Sequence, residues 1–205
     1  MGLFSRKETE EKKLKRLAGG ADRVAAMLMD TLRGPNGVDV KLPLLWASGL
    51  AGHACHRAVK ELGGHVALIT TKDGKKYYYG DAVNKYLLED HLSVYSFVNA
   101  VSHLEQDKVL GIVVDVTNSL GTDRLNIWNM TPESVYPEIK RCWDGIYENM
   151  TARYCKDASE WPILFGLTTQ LIILKAIQAG AGAEEAGLMA MQCAIVISKM
   201  DDDSL

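Results

Sequence analysis

A chain of 205 residues that is 47% apolar and 24% charged, with 23 basic and 26 acidic side chains, has the balance of a folded protein with a sizeable core, and this excludes a disordered polyelectrolyte. Its net charge of −3 hides a polarity: residues 1–80 carry 14 basic and 8 acidic side chains, and residues 81–205 carry 9 and 18. No run reaches the ~18 consecutive apolar residues of a membrane span, and the opening Met1-Gly2-Leu3-Phe4-Ser5-Arg6 has no apolar leader.

The first predicted helix covers residues 7–32, with Leu14, Leu17, Ala21, Val24 and Leu28 at spacings of three and four. Gly19-Gly20 is expected to divide a charged lead from a packed second half, which gives a partly mobile arm over residues 1–20 ahead of a single helical domain over residues 21–205. The next helix, residues 43–62, is rich in Ala and Gly and is expected to sit tight against a neighbour. Residues 66–79 read as a β-hairpin around Asp73-Gly74. A two-residue type I′ turn there would set Ile69 opposite Tyr78 and Leu68 opposite Tyr79.

Short helices are expected over residues 82–88 and 93–105. Residues 107–120 alternate as a strand would, yet end at Ser119-Leu120-Gly121 as a helix does, and are assigned helix. Thr131-Pro132 opens a helix that runs to Tyr154. Helices at 159–178 and 184–200 then form a hairpin. Between residues 161 and 198 only Lys175, Glu184 and Glu185 are charged, so that hairpin must be buried on every side or lie in an interface. The expected fold is therefore mainly α: a multi-helix bundle with a small inserted β-hairpin (residues 66–79) and a buried C-terminal helical hairpin. Its core should rest on the 133–154 helix and that hairpin.

The chemistry is sparse. Cys55, Cys142, Cys155 and Cys193 show no C-x-x-C spacing and read as reduced thiols in a cytoplasmic setting. Gly-rich phosphate loops, nucleophile elbows and H-E-x-x-H are absent from the sequence. Asp90-His91 and His103-x-Glu105 are acid–base pairs without an accompanying nucleophile. Gly52-His53-Ala54-Cys55-His56 is the one cluster that resembles a site. There Cys55 falls on the apolar face of its helix, while His53 and His56 share a side with Arg57 and Lys60. Those cations oppose a metal, so His53 and His56 are weak metal candidates that the pattern places at the surface.

No cofactor is implied. The leading expectation is a non-enzymatic protein acting through protein contacts as a homo-oligomer, with Leu188, Met189, Met191, Ile195 and Val196 as the self-association face. The alternative is an enzyme or small-ligand protein with a pocket near His53, His56 and Tyr77–Tyr79. Nucleic-acid binding through Lys72, Lys75 and Lys76 is disfavoured, because no basic recognition helix precedes the hairpin and the chain is acidic overall. The lead Lys12-Lys13-x-Lys15-Arg16 is interleaved with glutamates, which disfavours peripheral membrane contact.

Overall fold

The computed structural model describes residues 8–34, 37–72 and 74–200. It is mainly helical. Helix α1 (Glu10–Thr31) is capped by the Thr9 hydroxyl, which accepts from the Lys12 amide, and carries Glu10 and Glu11 in its first turn. Strands β1 (Arg33–Gly34) and β2 (Gly37–Val38) form a two-residue ladder before α2 (Lys41–Glu61). The hairpin β3 (Ala67–Thr70) and β4 (Lys76–Tyr79) follows. Helix α3 (Asp81–Asn84) runs on as a π-turn over Lys85–Glu89, and then come α4 (Val94–Ser102) and α5 (Gln106–Ser119). Helix α6 (Pro132–Ile146) ends in a π-turn and the short α7 (Ala152–Tyr154). A 3-10 turn at Ala158–Glu160 leads into α8 (Trp161–Gln178), and α9 (Ala183–Ser198) closes the described chain.

The bundle is organised around α2. Both α8 and α9 pack on it more extensively than on each other, while α1 and α4 cover α8, and α5 covers α9. The C-terminal hairpin thus lies in the core as expected, but its principal partner is α2 and not the 133–154 helix. The cause is residue size. Ala47, Ala51, Ala54 and Ala58 are all buried on α2, and a Cβ placed on Gly52 would lie 2.1 Å from the Ala194 carbonyl oxygen. Only glycine permits that backbone-on-backbone approach.

Helix α8 and the turn before it have the length and composition of a membrane span, with mean hydropathy 1.3 over an 18-residue window of Ala158–Gln178. In the fold 67% of that window is buried against protein, which accounts for its apolarity. Met191, Ile195 and Val196 of α9 are likewise consumed inside the chain, whereas Leu188 and Met189 stay partly exposed.

Two further expectations are corrected. Helix α1 runs unbroken through Gly19-Gly20, and Leu17 is fully buried. Arg16 donates to both carboxylate oxygens of the buried Glu160 at 2.9 Å, to Glu8 at 2.7 Å, and to the Tyr154 carbonyl. The lead is therefore continuous with the helix and anchored at Arg16 and Leu17, while residues 9–12 remain exposed. The hairpin register is shifted by one residue: Leu68 opposes Tyr78, and Ala67 opposes Tyr79. The loop spans three residues, 72–74, of which Asp73 lies outside the described residues. Gly74 takes φ +85° and the Thr71 amide donates to the Lys75 carbonyl at 2.8 Å. This is the three-residue loop that places glycine in the left-handed region, in place of a two-residue I′ turn. On its far side β4 bonds the segment just after α9, the Tyr78 amide donating to Lys199 O at 2.7 Å.

Candidate functional site

Helix α2 turns its small residues toward α9 and a polar stripe toward α6. His53, His56, Arg57 and Lys60 recur at i, i+3, i+4 and i+7, one face of a helix. Opposite them α6 presents Tyr136, Lys140, Trp143 and Asp144, again at helical spacing. Together the two stripes line a polar cavity of about 120 Å³.

Both imidazoles are buried, His53 to 3% exposure and His56 to 2%. The sequence pattern placed them at the surface; the correction comes from α6, which covers this side of α2. The His53 ring meets Trp143 edge-on at 5.0 Å between centroids and Tyr136 at 5.7 Å. Trp143 is backed in turn by Trp161 at 5.6 Å and Phe165 at 5.3 Å. His56 stacks on Tyr78 of β4 at 3.9 Å. The Tyr78 hydroxyl accepts a hydrogen bond from Lys60 Nζ at 2.9 Å. Of the three consecutive tyrosines, Tyr78 thus adjoins the site, Tyr77 is in the core, and Tyr79 is largely exposed beneath the Lys199 ammonium.

His53 Nδ1 is buried with no hydrogen-bond partner among the described residues. Burial first, and then the charges of His56, Arg57, Lys140 and Lys60, push the His53 pKa down to about 3, so the ring is neutral and one nitrogen remains an acceptor. A metal does not suit this set. The His53 and His56 rings are 6.2 Å apart and nearly perpendicular. No group of three or more His, Cys, Asp or Glu side chains positioned for a metal occurs among the described residues. Cys55 is fully buried in the apolar core, and burial drives its pKa far up, so it is no thiolate partner for either histidine.

The other sequence candidates lie elsewhere. His91 bridges Asp90 at 2.8 Å and Glu10 at 3.1 Å on an exposed surface. His103 is the left-handed cap of α4, at φ +53°. At the hairpin tip Lys75 is ion-paired with Glu133 of α6, which removes one charge from the Lys72, Lys75 and Lys76 group.

Sequence reasoning missed Tyr136, Lys140, Trp143 and Asp144. Their i, i+4, i+7, i+8 spacing was the available signal: a polar-aromatic stripe on one face of a helix. Compared with known proteins, the chain matches no family model, no curated protein and no solved structure.

Proposed function

We propose that the protein binds a small molecule in the cavity between α2 and α6. The observation that carries this reading is the polar hollow itself, lined by the buried, neutral His53 ring together with Arg57, Lys60, Lys140 and Asp144. The lining supplies imidazole, phenol and cations but no Ser, Thr or Cys nucleophile, so binding is favoured over turnover. Ligand-observed NMR against a mixed set of anionic, neutral and cationic fragments tests it. Binders should shift the Trp143 indole and the His53 ring resonances. A set in which no fragment perturbs either would end the proposal.

A second reading rests on the open groove of about 520 Å³ that Ile112 of α5 lines with Leu188 and Met189 of α9. This supports self-association by a smaller surface than the whole C-terminal hairpin. Sedimentation velocity at micromolar concentration should show a dimer that Leu188→Glu dissociates; a monomer in the unaltered protein would dispose of it.

A further inference from the structure

We infer that the α2–α6 cavity is an anion site, built for a phosphate group. The inference rests on the small-molecule reading above and adds to it the chemical class of the ligand.

The charges carry the argument. Arg57, Lys60 and Lys140 line the cavity together with one carboxylate, Asp144. Among the described residues Arg57 and Lys60 have no carboxylate within ion-pair distance, and Lys60 donates to the Tyr78 hydroxyl instead. Lys140 reaches Asp144 only at 3.4 Å. Three cations thus face one carboxylate, a local surplus of two positive charges in a chain whose net charge is −3. A cleft lined by a surplus of one sign concentrates ions of the other. The surplus matches a phosphate, whose charge near neutrality lies between −1.5 and −2.

Size and geometry agree. The cavity, of about 120 Å³, has room for one tetrahedral oxyanion. A guanidinium bonds such an oxyanion through two parallel N–H groups. The neutral His53 ring can donate one hydrogen bond in the tautomer that the ligand selects. A bound dianion would also offset the cations that help to hold His53 uncharged. Two sources share this chemistry: free inorganic phosphate, and the terminal phosphate of a small phosphomonoester whose remainder lies outside the cavity.

The test is isothermal titration of the full chain with inorganic phosphate, glycerol phosphate and acetate at constant ionic strength, each followed by the Trp143 and His53 resonances. Saturable phosphate binding that shifts those resonances is expected. Arg57→Gln and Lys140→Gln should each weaken it about tenfold or more, since each removes a charge-assisted contact, and Lys72→Gln at the hairpin tip should leave it unchanged. Circular dichroism confirms that the variants are folded, and two variants on different helices guard against the loss of one. Tighter binding of glycerol phosphate than of phosphate identifies the phosphomonoester as the source, and the reverse identifies the free ion. Phosphate binding that survives both variants overturns the inference, as does acetate binding as tight as phosphate. A neutral or cationic fragment that shifts Trp143 while phosphate does not bind overturns the anion class and leaves the small-molecule reading standing. Absence of any binder overturns both.

Discussion

Replacing Gly52 by Ala adds one methyl group, and its effect can be worked from the crossing of α2 and α9. The new Cβ would sit 2.1 Å from Ala194 O, 2.9 Å from its carbonyl carbon and 3.0 Å from its Cα. Ordinary contact begins near 3.4 Å, so one helix must retreat by roughly 1 Å. All three clashing atoms are backbone, and no rotamer change relieves them. Overpacking of this kind costs ~1–3 kcal/mol, and rigid backbone argues for the upper end. Against it stands the helix-propensity gain of ~1 kcal/mol for Gly→Ala. The net expectation is a loss of about 2 kcal/mol, or a Tm lower by ~4–8 °C at this chain length. Gly111 on α5 is the control. It is exposed and helical, and its added Cβ would meet nothing within 4 Å, so only the propensity term remains. Gly111→Ala should raise stability by up to ~1 kcal/mol. The same chemical change thus has opposite signs at two helical sites. Urea denaturation and a thermal melt read both. If Gly52→Ala is neutral or stabilising, the close-packed crossing is wrong.

Arg16→Ala strips the buried Glu160 of its bidentate partner and should cost about 3–5 kcal/mol, read from the urea midpoint, with much of the loss recovered in the Arg16→Ala, Glu160→Gln double variant; a loss under 1 kcal/mol would show that the network is decorative. His53 faces His56, Arg57 and Lys60 from α2 and Tyr136, Lys140 and Asp144 from α6, and its pKa of about 3 lies below the 6.5 of an unfolded histidine. Between those values the unfolded chain holds a proton that the folded one refuses, so stability should fall on acidification through this window by up to ~1.4 kcal/mol per pH unit. His53→Gln should remove that component, and NMR should show no His53 titration from pH 8 to pH 5; a midpoint near 6.5 would contradict the burial. Burial pushes Cys142 to about 11 and Cys155 and Cys193 to about 12, with Cys55 higher still. Thiol labelling at pH 7.5 should therefore be slow for all four until the protein unfolds, and rapid labelling of any one thiol in the native protein would refute the assignment.

The helices were legible wherever one residue's environment is set by its own element. Residues 107–119 show the limit: alternation of Leu110, Ile112, Val114 and Val116 imitates a strand, yet Val109 and Val116, two turns apart, are the pair that α5 buries. The hairpin was legible in place but not in register, because one residue of loop length separates a two-residue turn from the three-residue loop, and Asp-Gly suits both. For the site, half was legible. The His53–Lys60 stripe stands in the sequence, and so does the Tyr136–Asp144 stripe, each as a periodic face. What a single sequence does not carry is which face meets which, and the histidines change from exposed to buried on that fact alone.

The two faces of α2 perform different tasks that share one rigid element. Toward α9, Gly52 fixes the position of the helix by backbone contact at its closest approach. One residue on, and about 100° around the helix, His53 projects toward α6 into the cavity. Directed contacts to a small anion tolerate errors of about 0.5 Å, whereas relief of the Gly52 clash displaces α2 relative to α9 by roughly twice that. The displacement passes to His53 because a helix moves as a body over one turn. Gly52→Ala should therefore weaken phosphate binding although the new methyl group faces away from the cavity, and Gly111→Ala, on a helix that does not line it, should raise the Tm and leave the affinity unchanged. If Gly52→Ala lowers the Tm while phosphate affinity is preserved, α6 follows α2 in its shift, and the site is held by the α2–α6 contact alone. That outcome would move the source of preorganisation from the Gly52 crossing to the His53–Trp143 packing.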